Sequence, residues 1–364
     1  MTDFASIRQD LHCHPGISGD EHYAHDLIVR QLNACHPDAV FTHVGGFGVV
    51  AIWGKEPSRP TIAVRCDIDA LPIGHRCGHD GHTTILLRLA ELIDEAKDSR
   101  INTLTHFRIL LLWQPAEETG TGSRAVLDTG ILQQYNIKAF YALHNLPGYP
   151  LGTVVLCPRT FAAASTGVVY HLDGRETHAS TPEMGVNPGL AVAEIIKKFN
   201  GFNGADGEFR QSTLICVHVG QPAFGTSAGH GEVMFTLRAF TNDEMERLLA
   251  DANNAVTEIA GRYGLTVSQT LVEPFRATEN NGDCVEAIEK AATEVPLRVR
   301  YQMEPNRWSE DFAEYLLEFK GAMFGLGSGE KHAELHHPDY DFPDELIEPA
   351  AQLFFRIYRS SSPE

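Results

Sequence analysis

The sequence predicts an α/β protein in which a large, mostly parallel sheet layered by helices is interrupted by a smaller α+β domain. Three features point there. Short apolar runs alternate with segments of helical periodicity through residues 1–163, the pattern of a sheet covered by helices. Across residues 164–275 the order becomes β-α-β-β-α-β, which indicates a small sandwich with an antiparallel sheet. From 276 to 364 the helix and strand alternation resumes, so the outer segments are expected to form one body around the insertion. A chain of 364 residues suits two domains of ordinary size.

The elements follow in order. Glu21 to Cys35 sets Ala24, Leu27, Ile28, Leu32 and Cys35 near helical spacing. Val49 to Trp53 and Thr61 to Cys66 are short apolar runs, read as buried strands. Thr83 to Ala96 is helical, with Ile85, Leu89, Leu92, Ile93 and Ala96 on one face. Phe107 to Trp113 and Ala139 to Leu143 read as further buried strands. In the insertion, Thr166–Leu172, Ser212–Val219, Glu232–Phe240 and Leu265–Val272 read as strands, and Pro188–Phe199 and Asn242–Tyr263 as helices. There are no internal repeats, and the tail from Ser360 to Glu364 is expected to fray.

Hydrophobic residues make up 43% of the chain and charged residues 21%, enough apolar material for a sizeable globular core. Lys and Arg number 29 against 48 Asp and Glu, a formal charge of −19. No basic patch appears, which argues against a nucleic-acid partner. The seven cysteines are scattered and odd in number, so a reducing, cytoplasmic setting is expected rather than a disulfide framework. The N-terminus shows no apolar leader, and no uncharged apolar run approaches the roughly 18 residues of a membrane span, so no membrane partner is expected.

Five clusters carry chemistry: Asp67-Ile68-Asp69-Ala70-Leu71-Pro72, Cys77-Gly78-His79-Asp80-Gly81-His82, Gln114-Pro115-Ala116-Glu117-Glu118, Leu143-His144-Asn145 and Leu335-His336-His337-Pro338. Asp67, Gln114 and His144 each follow or end an expected strand. In α/β sheets, ligands collect at the carboxyl ends of strands. Cys, His and carboxylate together suit a zinc-like divalent ion. Each cluster alone has a plainer reading: a solvated Glu117-Glu118 turn, a core His144, a free Cys77 thiol. Asp67 to Asp69 also suits a phosphatase with an aspartyl nucleophile, but thiolate and imidazole are poor company for magnesium. The conjunction at strand ends is what favours a metal site.

With these motifs the sequence resembles the zinc-dependent exopeptidase and aminoacylase clan, specifically its branch of hippurate hydrolases and auxin-conjugate (N-acyl-amino-acid) amidohydrolases. The resemblance runs from Arg8 to about Asp344 and includes Arg8-Gln9-Asp10-Leu11-His12-Cys13-His14-Pro15, His75 through His82, His178-Ala179-Ser180 and Ser309-Glu310-Asp311-Phe312. It implies a catalytic domain with an inserted lid, which often pairs across a homodimer in the family. It also implies two divalent ions per subunit, zinc or manganese first, cobalt or nickel also suited. Cys77 matches a thiolate able to bridge two ions, and His79, Glu118, His144 and His336 match the other ligands. Glu117 matches the general base, His178 a lid histidine that polarises the substrate carbonyl, and Asp69 a carboxylate beside the site. His75, His82 and His337 receive no ligand role. The implied substrate is an N-acyl amino acid or similar small amide. A dipeptidase or aminopeptidase of the same clan, and a metal-binding protein without activity, are the alternatives; Glu117 beside a full ligand set argues against the last.

Those roles are chemically coherent. A bound divalent ion lowers the pKa of water toward neutrality. A base must still take the proton and deliver it to the amine, which leaves poorly unless protonated. The developing oxyanion needs a donor such as His178. Two departures from the family stand out. Relatives carry a loop of a dozen or more residues between Asp-Ala-Leu-Pro and Cys-Gly-His-Asp, whereas here Pro72 runs almost directly into His75. Relatives also show an Asn-Val-Ile-Pro segment that helps hold the substrate carboxylate; here Gly225 to Gly231 stands instead. Arg238 remains on the following strand as a source of charge.

Overall fold

The structure, a computed structural model, describes residues 2–56, 58–98, 107–204, 209–295 and 297–360. The tail expected to fray starts at Ser360, but Ser360 is still the last residue of the C-terminal helix; the rest of that tail, residues 361–364, lies outside the described residues. Along the chain run α1 (Phe4–Cys13), α2 (His22–Leu32), β1 (Ala39–Val44), β2 (Gly48–Trp53), β3 (Thr61–Asp67), α3 (His79–Asp98), β4 (Arg108–Gln114), α4 (Gly122–Asp128), β5 (Ile137–Pro147) and β6 (Val154–Leu156). There follow β7 (Ala164–Asp173), β8 (Thr177–His178), α5 (Gly189–Asn200), β9 (Arg210–Val219), β10 (Thr226–Ser227), β11 (His230–Ala239), α6 (Asn242–Arg262) and β12 (Thr266–Phe275). The chain closes with α7 (Gly282–Glu294), β13 (Val299–Tyr301), α8 (Ala313–Leu316), β14 (Gly321–Gly329) and α9 (Ile347–Ser360).

Two compact units result: Met1–Phe161 with Thr278–Pro305 and Asp311–Glu364, and Ala162–Ala277 with Asn306–Glu310. The sequence reading set the crossings after 163 and 275 and did not foresee the short return segment. Asn306–Glu310 joins the smaller unit because the Ala163 amide donates to the carbonyls of Asn306 and Trp308 at 2.9 and 3.0 Å. Arg238 Nη1 also donates to the Arg307 carbonyl at 2.8 Å and meets Ser309 Oγ at 3.2 Å.

The larger unit is built on an eight-stranded sheet of order β1-β2-β4-β3-β5-β14-β6-β13. The central four strands are parallel; antiparallel pairs join β1 to β2, β2 to β4 and β6 to β14. Every residue of β3 and β4 is buried, the reason these strands read as mainly apolar runs instead of alternating, although β3 also buries Arg65. Helix α3 packs on α1 and α9, and α7 packs on α9, sealing a core that includes Ile85, Leu89, Trp113 and Phe354.

The smaller unit has a four-stranded antiparallel sheet of order β12-β7-β11-β9. Val168, Tyr170 and Leu172 of β7 and Val233, Phe235 and Leu237 of β11 share a core with Ile195, Phe199, Leu248 and Ile259 of α5 and α6. The alternate residues occupy the opposite face. Beyond this sheet, β8 and β10 form a two-stranded ribbon. All seven cysteines are free thiols. Among the described residues, no helix is long and apolar enough to cross a membrane.

Candidate metal centre

Strand β3 ends at Asp67, β4 at Gln114, and His144 lies near the end of β5, so three adjacent parallel strands deliver their groups to one edge. Cys77 and His79 enter from the turn that opens α3. Gly78 adopts φ +93°, and a Cβ there would meet Asn145 Oδ1 at 2.7 Å, so only glycine lets this turn approach β5. Ala116 (φ +53°) precedes the Glu117-Glu118 pair, and His336 (φ +65°) lies on the distant loop. Left-handed backbone at a non-glycine residue persists only where the surroundings over-determine it. At Ala116 the amide donates to the buried Glu21 Oε1 at 2.9 Å, and its carbonyl accepts from Gly122 at 3.0 Å. The His336 amide donates to the Arg76 carbonyl at 2.8 Å.

These devices bring Cys77, His79, Glu117, Glu118, His144 and His336 together. Three overlapping sets, Cys77–His79–His144, Cys77–Glu118–His336 and His79–Glu117–Glu118, each hold their ligand-type atoms within 4.8 Å of one another. Cys77 Sγ lies 3.3 Å from His336 Nε2 and 4.0 Å from His144 Nε2. His79 Nε2 is 3.9 Å from Glu118 Oε1, and His336 Nε2 is 4.0 Å from Glu118 Oε2.

The donor set fits divalent ions. His79 Nδ1 donates to the Asp69 carbonyl at 3.0 Å and His144 Nδ1 to the Asn145 carbonyl at 2.9 Å. Each ring is thereby fixed with its Nε2 lone pair turned to the cluster, the usual preparation of a ligating imidazole. His79 Nε2 and Glu118 Oε1 are buried with no hydrogen-bond partner among the described residues. Burial pushes the Cys77 thiol well above its ordinary range, so a thiolate here needs a cation. Burial opposes an imidazolium at His79, yet Asp67 and Cys77 hold its pKa well above the ordinary value; burial and His82 hold that of His144 well below. Anionic and cationic demands thus coexist in one small buried space.

The other sequence-singled residues surround this centre. Asp69 Oδ2 accepts from Ser18 Oγ at 2.7 Å and from the Glu118 amide at 3.0 Å, tying the Glu117-Glu118 turn to β3. His82 bridges Asp67 Oδ1, at 2.6 Å, and Asn145 Oδ1. His75 is buried with neither ring nitrogen hydrogen-bonded among the described residues, and burial lowers its pKa to about 4. His337 is exposed and accepts from the Asp339 amide at 3.1 Å. Sequence reasoning missed Arg65 and Glu21. Arg65 is fully buried and donates to Gln114, Asp67 and Asp311 at 2.9, 2.8 and 2.7 Å. An arginine inside an apolar strand pattern was the available signal, since such a charge survives burial only when paired.

His178 belongs to the smaller unit. It lies in β8, exposed, opposite Thr226 of β10. Its Nδ1 accepts the Ser180 amide at 3.1 Å and lies 2.6 Å from Ser180 Oγ, which in the neutral ring leaves the proton on Nε2. The departed Gly225–Gly231 segment is the direct neighbour of this histidine, because the Ala179 amide donates to the Gly225 carbonyl at 2.9 Å.

A layered α/β unit with Cys, His and carboxylate groups converging at its strand ends defines a metallohydrolase-type centre. The chain belongs to Peptidase family M20/M25/M40, whose profile matches residues 63–360. It is 27% identical to an N-acetylcysteine deacetylase of Bacillus subtilis, over 98% of this chain and 96% of that protein. It is 25% identical to a hippurate hydrolase of Campylobacter jejuni, over 98% and 95%. A Bacillus subtilis structure described as a dinuclear metal binding peptidase from the M20 family matches with a TM-score of 0.84 at 25% identity, covering 98% of this chain and 97% of that one.

Proposed function

We propose that the chain is a metal-dependent amidohydrolase that removes the acyl group from N-acyl amino acids. The observation that carries this reading is the pair of Nδ1-tethered imidazoles, His79 and His144, beside Cys77, Glu118, His336 and the adjoining carboxylate of Glu117. Cys77, His79, Glu118, His144 and His336 would hold two divalent ions, zinc or manganese. Bound there, such ions supply Lewis-acid polarisation and a lowered pKa for water. Glu117 takes a proton from the attacking water and returns it to the leaving nitrogen. Asp69 fixes the turn that aims the paired glutamates. His178, its proton on Nε2, donates to the oxygen that gains charge. The deacetylase and the hippurate hydrolase among the relatives both act on amino acids carrying an N-acyl group, and this supports the substrate class.

The test is a panel of N-acetyl and N-benzoyl amino acids alongside dipeptides with a free amine. Turnover of the acylated members well above the dipeptides is expected. Turnover of the dipeptides alone would overturn the substrate class.

A further inference from the structure

We propose a second, separate metal site in the smaller unit, formed by His171, His230 and Glu232 and selective for a borderline divalent cation such as zinc or nickel. The three side chains offer ligand atoms that all lie within 4.8 Å of one another. Two rungs of the β7–β11 ladder place them. Glu232 stands directly opposite His171, and His230 directly opposite Asp173. Residues facing each other across an antiparallel ladder, and those two positions along, share one face. Here it is the face opposite the α5 and α6 core.

The spacing matches a coordination sphere. Ligand atoms about 2.0–2.2 Å from a tetrahedral zinc ion lie about 3.3–3.6 Å apart. His171 Nδ1 is 2.9 Å from Glu232 Oε1, and His230 Nε2 is 3.5 Å from the same oxygen. Small rotamer adjustments bring all three onto one ion. A fourth donor stands in the same row, since His218 of β9 lies opposite Glu232 on its other side. Imidazole-rich donors of this kind favour zinc, nickel or copper over magnesium or calcium. The same groups pair as His230–Asp173 at 2.7 Å and His171–Glu232 at 2.9 Å.

The site sits at the root of the ribbon that carries His178. Strand β7 ends at Asp173, and after Gly174 the chain leads into β8; β10 leads through Gly229 into β11 at His230. The Gly174 amide donates to the Gly229 carbonyl at 2.8 Å, continuing the ladder. An ion bridging His171, His230 and Glu232 therefore clamps β7 to β11 where the ribbon departs, and holds β8 and β10 in register. The inference does not depend on the proposed reaction.

Zinc-loaded protein, freed of excess metal, is titrated with Zn2+ by calorimetry, and amide hydrogen exchange is followed in parallel. The wild type should take up one more ion per chain, with micromolar affinity, than His171→Ala or His230→Ala. Glu232→Gln, which keeps the side-chain shape, should weaken that step at least tenfold. Circular dichroism of each variant confirms the fold, and all should retain the metal bound at the Cys77–Glu118 centre. Added Zn2+ should slow exchange at Thr177–His178 and Thr226–Ser227 in the wild type alone. Equal uptake by the wild type and all three variants would overturn the site. Uptake without slowed exchange would overturn the clamp.

Discussion

Replacing Arg65 with methionine should destabilise the larger unit more than any exposed substitution and should empty the metal centre in part. The guanidinium is fully buried and reaches two buried carboxylates, Asp67 at 2.8 Å and Asp311 at 2.7 Å, with Gln114 Oε1 at 2.9 Å. Methionine fills the space but leaves both anions short of a counter-charge. Asp311 keeps donors from Gln114 Nε2 and the Ser123 amide, whereas Asp67 keeps His82. Removing one partner of a buried ion pair costs about 3–5 kcal/mol. That is a large part of the roughly 5–15 kcal/mol that holds a typical domain folded. At about 2–4 °C per kcal/mol for a domain of 150–250 residues, the melting point should fall by about 6–20 °C. Asp67 Oδ2 also lies 3.7 Å from His79 Nε2, so a displaced Asp67 should disturb that ligand and lower metal content. Calorimetry and metal analysis on wild type, Arg65→Met and Arg65→Lys read both effects, with lysine recovering only part because it lacks the fork. A melting point within about 1 °C of wild type in Arg65→Met would refute the reasoning.

Other expectations concern chemistry and pH. Glu117→Gln keeps shape and metal but cannot accept a proton, so kcat should fall at least about a hundredfold with metal content unchanged; loss of metal instead would exchange the roles of Glu117 and Glu118. His178→Ala should lower kcat by about a hundred- to a thousandfold, the scale of one lost oxyanion donor, with a smaller rise in KM and intact metal; an unchanged kcat removes His178 from the mechanism. Burial works to raise the Glu244 pKa, but hydrogen bonds from Arg210 and Arg247 hold it below the usual carboxylate range. Its contribution is therefore complete above the unfolded pKa of about 4.3 and is lost as pH falls through the lowered value. Thermal melts of the wild type from pH 6 to 3 should show this acid loss, and Glu244→Gln should flatten it.

Much of this arrangement was legible because the signals are local. The fully buried β3 and β4 appear as mainly apolar runs, with Arg65 inside β3, and the Asp67 and Gln114 clusters begin at their ends. The four long strands and two helices of the insertion followed from periodicity alone, but the two-residue strands β8 and β10 did not. Other features depend on partners distant in sequence. Strand β1 is exposed over most of its length and so carries no alternation. Helix α1 fully buries only Arg8 and Leu11, too few for a periodic stripe, and Arg8 is held by Asp341 and Asp344 near the other end of the chain. The left-handed backbone at Ala116 and His336 has no glycine to announce it. The His171–His230–Glu232 cluster exists only through the register of β7 against β11, which no single segment encodes.

The central claim is that amide cleavage depends on metal held by Cys77, His79, Glu118, His144 and His336. Chelation to a metal content near zero, followed by stepwise return of zinc or manganese, tests it most directly on an N-acyl amino acid. The account predicts that hydrolysis disappears while circular dichroism stays close to native, because the sheet core does not depend on the ligands. Activity should return with the added ion and saturate near two ions per chain, not counting the separate site at His171, His230 and Glu232, whose substitution leaves that number unchanged. Full turnover by protein shown to be free of metal would contradict it.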